Sequence, residues 1–167
     1  MTPTAYGATL DFHRLLQQDL PAKDNADFED AKRGFVGTLS NAEVKRSGEG
    51  EQVRQTIWSH RAYSFLEDET PASTVNPSLW RQARLNLNHG LFKVTERIYQ
   101  VRGFDIANIT FIEGDTGLIA IDCLSCADTA AAALALYHQF RDPEHKRVLH
   151  TVMYSHSHGD HFGGVRG

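Results

Sequence analysis

The sequence predicts an α/β fold of mixed strands over its second half, preceded by a mostly helical extension over residues 1–90. Three observations carry this. Short β-rich and apolar runs crowd the stretch after residue 90. A helical segment, 127–140, separates two of those runs. The first ninety residues offer instead charged helical starts, a Pro/Thr/Asn loop and one alternating run. Strands interleaved with a helix suit an α/β layer.

The elements follow in chain order. Asp24–Gly37 has a charged, helical start and ends at glycine. Val53–Trp58 alternates as a strand does, with Ala62–Leu66 as its partner or as a short helix. Thr70–Pro77 reads as a loop. Ser78 can cap a helix over Leu79–His89, and Gly90 can stop it. Leu91–Thr95 and Ile98–Val101 read as strands around the turn Glu96–Arg97. Ile109–Glu113 is β-rich, Gly114–Gly117 is a hairpin turn by composition, and Leu118–Ile121 is apolar enough for a buried strand. Ala127–Phe140 is helical and is broken by Arg141-Asp142-Pro143. Val148–Tyr154 reads as another buried strand. Ligands in such folds collect at the carboxyl ends of strands. Asp122 and the segment 156–161 both stand there.

Composition narrows the class. The chain has 167 residues, 41% hydrophobic and 23% charged, and a formal net charge of −4. These values allow one domain with an extension and a core of useful size. No run of Lys or Arg marks a nucleic-acid surface. Asp11, His13 and Arg14 interrupt any apolar core of a leader at the N-terminus. No stretch approaches the roughly 20 apolar residues of a membrane helix. A soluble chain is expected, cytoplasmic or with its leader removed.

Chemistry concentrates in Ser155-His156-Ser157-His158-Gly159-Asp160-His161. Imidazole and carboxylate are good ligands for Zn²⁺. His156 and His158 can project to one side of an extended segment. Asp160 and His161, after a turn at Gly159, can face a second ion, and two ions about 3.5–4 Å apart can share a hydroxide. The alternative is a solvated, His-rich loop. Asp122 is either a carboxylate orienting a metal-bound histidine or a cap for the next helix. Cys123 and Cys126, spaced C-x-x-C, read as small residues in a strand-to-helix turn, with a redox pair or half a zinc knuckle as the alternatives. His60, His89, His138, His145 and His150 stand alone and read as surface or structural residues. Trp58 and Trp80 read as packing.

H-x-H-x-D-H after an apolar strand resembles the signature of the metallo-β-lactamase superfamily. Thr74–Gln82, Gly90–Thr95, Ile98–Asp105, Ile112–Gly117, Thr129–Tyr137 and His161–Gly167 resemble the corresponding segments of bacterial alkylsulfatases. Asp27–Glu29 and Arg33–Phe35 extend the likeness toward the N-terminus. The resemblance implies the N-terminal part of a metallo-β-lactamase αββα sandwich, beginning near residue 91. It implies zinc-dependent hydrolysis of alkyl sulfates such as dodecyl sulfate, in a dimeric enzyme with two Zn²⁺. His156 and His158 then bind one zinc, Asp160 and His161 the other, and Asp160 is the candidate catalytic carboxylate. Further ligands are implied beyond Gly167, so this chain by itself is expected to be inactive. Its strands 118–121 and 148–154 would lack part of their cover, so it is also expected to be unstable or oligomeric. Rival expectations are another hydrolase of the superfamily, acting on thioesters, lactones or β-lactams, and a metal-binding piece without activity. Where such enzymes are expected to carry proline after the aspartate, this chain has Cys123.

Overall fold

A computed structural model describes residues 4–19, 25–41, 43–48 and 55–167, and of Asp19 the backbone only. Contacts divide it into two units, Met1–Lys32 with Tyr63–Asn88, and Arg33–Ala62 with His89–Gly167. The sequence reading divides the chain at residue 90. The contacts draw 33–62 into the unit of the later segment, because a strand of that stretch pairs with one after residue 90.

The first unit is helical: α1 (Gly7–Asp19), α2 (Ala26–Lys32) and α3 (Pro77–Leu85). α3 begins earlier than Leu79. Pro77 needs no partner for a missing N–H at the first turn, and Asn76, not Ser78, is the cap, accepting from the Ser78 N–H at 2.9 Å. It also ends earlier than His89, at Leu85, whose carbonyl accepts from the Asn88 side-chain amide at 2.8 Å. Trp80 is buried and its ring lies 6.0 Å from that of Phe65. Phe65 stands in a 3₁₀ segment, His60–Glu67, which settles Ala62–Leu66 as helical rather than as a strand partner.

The second unit holds a six-stranded sheet among the described residues, in the order β1 (Phe35–Gly37), β4 (Gly90–Thr95), β5 (Ile98–Arg102), β6 (Ile109–Glu113), β7 (Gly117–Ile121) and β8 (Val148–Met153). A two-stranded sheet pairs β2 (Glu43–Lys45) with β3 (Thr56–Ser59). The reading of Asp24–Gly37 as helical fails at its end. Gly34 turns the chain at φ 75°, and Phe35 and Gly37 pair with Phe92 and Leu91. Residues 24, 53 and 54 lie outside the described residues. Gly90 opens β4 at φ 128°, and a Cβ there would meet the Gly37 carbonyl at 2.4 Å, so only glycine lets β1 approach.

Neighbours from β1 to β7 are antiparallel, and β7 and β8 are parallel. Two adjacent parallel strands need a long crossover, and α4 (Ala127–Arg141) provides it. Its buried residues Ala133, Leu136 and Tyr137 recur at helical spacing and join Leu91, Val101, Phe111 and Leu118 in the core. β7 is buried as expected, but β8 is not: Val148 and Met153 are exposed, because β8 is the edge strand among the described residues. The parallel pairing brings both carboxyl ends to one edge. Asp122 follows β7 there, and the histidine segment follows β8.

Candidate metal centre

The turn after β7 is an unusual piece of backbone. Asp122 and Leu124 have φ values of 59° and 64°, a region side-chain-bearing residues rarely occupy. Hydrogen bonds across the sheet edge hold them there. The Asp122 N–H donates to the Met153 carbonyl and the Cys123 N–H to the His161 carbonyl, both at 2.8 Å. The Gly164 N–H donates to the Leu124 carbonyl at 3.1 Å. Proline at 123 would lack the second of these donors, so cysteine there adds a backbone tie to the histidine segment. From the other side Asp105, buried, accepts from the Ser125 N–H at 3.0 Å, its hydroxyl at 2.6 Å and the Thr129 hydroxyl at 2.7 Å.

Asp122 faces the histidines. Its Oδ2 accepts from His161 Nδ1 at 2.7 Å and from the Ser155 hydroxyl at 2.8 Å, and its Oδ1 accepts from the Ser155 N–H at 2.8 Å. Asp122 therefore bonds the His161 ring instead of capping α4. The cap position of α4 belongs to Cys126, with no side-chain cap bond. Burial pushes the Asp122 carboxyl up, but the Ser155 N–H, the His161 ring and the Ser155 hydroxyl outweigh it and hold it below the ordinary range. His161 is raised, chiefly by its bond to Asp122, against a smaller effect of burial.

The four expected site residues lie together. The His156 ring is 4.6 Å from that of His158 and 4.0 Å from that of His161. His161 Nε2 is 3.3 Å from Asp160 Oδ2. Asp160 and His161 stand in α5 (Gly159–Phe162), one turn long, and the histidines before it are exposed. In kind, three imidazoles with a carboxylate beside them match the donor set of a zinc-type ion. His161 has one ring nitrogen tied to Asp122 and the other directed toward Asp160, as a ligand histidine requires. Among the described residues, no group of three or more His, Cys, Asp or Glu is arranged to hold a metal ion.

Residues set apart from this cluster have structural partners. Glu113, buried, accepts from the Tyr137 hydroxyl at 2.8 Å and from Arg141 at 2.7 and 3.0 Å. His60 stacks on His89 at 3.7 Å, and burial lowers its pKa. His138, buried, faces Asp142. His150 is the extra residue of a bulge in β8 opposite β7. The Trp58 indole donates to the Gly103 carbonyl at 2.8 Å. Cys123 is buried, and burial with the nearby Asp122 charge pushes its thiol up, against what a redox pair needs. The roles of Ser155 and Asp105 escaped the sequence reading, since each depends on contacts across more than fifteen residues of chain.

The metallo-beta-lactamase superfamily profile matches residues 102–167, which run from the end of β5 through the histidine cluster. The likeness to individual proteins extends upstream of the matched residues. The chain is 49% identical over 160 residues to an alkyl/aryl-sulfatase of Saccharomyces cerevisiae, 96% of this chain and 24% of that protein. It is 42% identical over 164 residues to a linear primary-alkylsulfatase of Pseudomonas sp., 98% of this chain and 23% of that protein. The solved structure of a stereoselective inverting sec-alkylsulfatase from Pseudomonas sp. superposes with a TM-score of 0.85 at 47% identity, over 99% of this chain and 25% of that one. The chain therefore spans about a quarter of the length of the curated relatives it matches. Among its described residues no helix is long and apolar enough to cross a membrane.

Proposed function

We propose that this chain supplies the first half of the metal centre of an alkyl sulfate hydrolase, working as part of a longer enzyme that releases alcohol and inorganic sulfate. One observation carries the reading: a His/His/Asp/His cluster, oriented by Asp122, lies in a chain that resembles alkylsulfatases along nearly its whole length. His156 and His158 would hold one zinc ion, and Asp160 and His161 a second. Bound zinc supplies Lewis acidity and brings the pKa of water toward about 7.

The rest is the work of the chain's own groups. Asp122 orients the His161 ring. Asp160, partly exposed with Oδ2 3.3 Å from His161 Nε2, would hold the second ion as a carboxylate and is the candidate catalytic residue. Tyr154 and Phe162, half exposed with rings 6.3 Å apart, offer apolar surface next to the cluster for a hydrocarbon tail. Dimerisation of the longer protein belongs to the same proposal and is read by light scattering.

The test is sulfate release from dodecyl sulfate by the full-length protein, followed by ion chromatography. Release that stops with a chelator and in Asp160→Ala and His156→Ala supports the reading. An intact, metal-loaded protein that releases no sulfate from primary or secondary alkyl sulfates sinks it.

A further inference from the structure

Ser155 sits between Asp122 and the histidine cluster. Its hydroxyl oxygen is 2.8 Å from Asp122 Oδ2, 2.9 Å from His156 Nδ1 and 3.5 Å from His161 Nδ1. A hydroxyl has one proton to donate, and a carboxylate can only accept. If the Ser155 proton pointed at His156, two oxygens would face each other at 2.8 Å with no hydrogen between them. The proton therefore goes to Asp122, and the Ser155 oxygen can only accept from His156. That contact requires the His156 proton on Nδ1, which leaves the lone pair on Nε2.

We infer that Ser155 is a positioning residue that relays the orienting effect of Asp122 to His156. One carboxylate then sets two rings. His161 is held directly at 2.7 Å and His156 is held through the serine. Both rings then carry their protons on Nδ1, toward Ser155 and Asp122, and keep the lone pair on Nε2. Asp105 supports the arrangement from behind, since its bonds to Ser125 and Thr129 fix the turn that carries Asp122. The functional weight of this relay rests on the reading of the cluster as a metal centre, because a fixed tautomer matters where the other nitrogen binds an ion.

Two measurements on the full-length protein test it. The first is zinc affinity by chelator competition. Ser155→Ala is expected to weaken binding about 10–100-fold, the usual cost of losing such a support, and Ser155→Thr, which keeps the hydroxyl, to restore it. The second is the His156 tautomer in metal-free protein, read by solid-state NMR with ¹⁵N-labelled histidine. Wild type is expected to carry the proton on Nδ1, and Ser155→Ala to show a mixture. Wild-type His156 protonated on Nε2 alone would overturn the inference, whether or not the alanine variant folds. Equal zinc affinity in wild type and Ser155→Ala would overturn it too. A wild type that binds no zinc would instead remove the metal-centre reading, while the tautomer readout would still decide the relay.

Discussion

Replacing Asp122 by asparagine keeps the size of the side chain and removes its charge. The carboxylate accepts three hydrogen bonds at 2.7–2.8 Å, and two converge on Oδ2. An asparagine oxygen can keep the Ser155 N–H. Its NH₂ group then meets the Ser155 hydroxyl and His161 Nδ1, and both must reverse to accept. Two bonds to a charged group, at about 1.5–3 kcal/mol each, give way to neutral ones at about 1 kcal/mol each, so Asp122→Asn should cost roughly 1–4 kcal/mol. The reversal also moves the His161 proton to Nε2, so zinc affinity should fall about 10–100-fold.

The loss should depend on pH in the metal-free protein. The folded pKa of Asp122 is lowered, so its contribution is present above the ordinary carboxylate value, about 3.9, and fades as pH falls through the folded value. The folded pKa of His161 is raised, so its contribution is complete below about 6.5 and fades as pH rises through the folded value. The gap between wild type and variant should be widest between about pH 4 and 6.5. Urea unfolding across pH, with zinc titration alongside, reads both effects. A variant with wild-type stability and zinc affinity would refute the reasoning.

Three further outcomes follow from the same geometry. A Cβ at Gly164 would lie 2.0 Å from the Cys123 carbonyl and 2.6 Å from that of Cys126. Gly164→Ala should therefore cost about 1–3 kcal/mol and weaken zinc binding, measured by denaturation and chelator competition. Glu113→Ala leaves Arg141 without its partner. It should destabilise by about 3 kcal/mol, the low end for a broken buried pair because Arg141 keeps access to water, and leave zinc affinity unchanged. Cys123, buried with its thiol pushed up, should react with a thiol reagent only at the rate of unfolding; fast native labelling at that position would contradict the structure.

Much of the site was legible because its chemistry is local in sequence. His156, His158, Asp160 and His161 fall within six residues, and no ordinary core or surface pattern concentrates imidazole in that way. The β4–β7 strands and α4 were legible for a related reason, since their periodicity and turns are short-range. Asp122 was ambiguous, because a carboxylate between a strand and a helix fits both a cap and a partner. Only its contact with a residue 39 positions away decides. Ser155 and Asp105 were invisible as functional residues on the same ground. β1 was hidden in a helical-looking run, because Gly34 and its pairing with β4 override local propensity. An apolar run such as 148–153 cannot reveal by itself whether its strand is central or at an edge.

The measurement closest to the central claim is the zinc content of the purified full-length protein, with and without His156→Ala and His161→Ala, by elemental analysis. Wild type should hold stoichiometric zinc, and both variants should lose most of it while staying folded. Zinc retained at the wild-type level after both histidines are removed would contradict it.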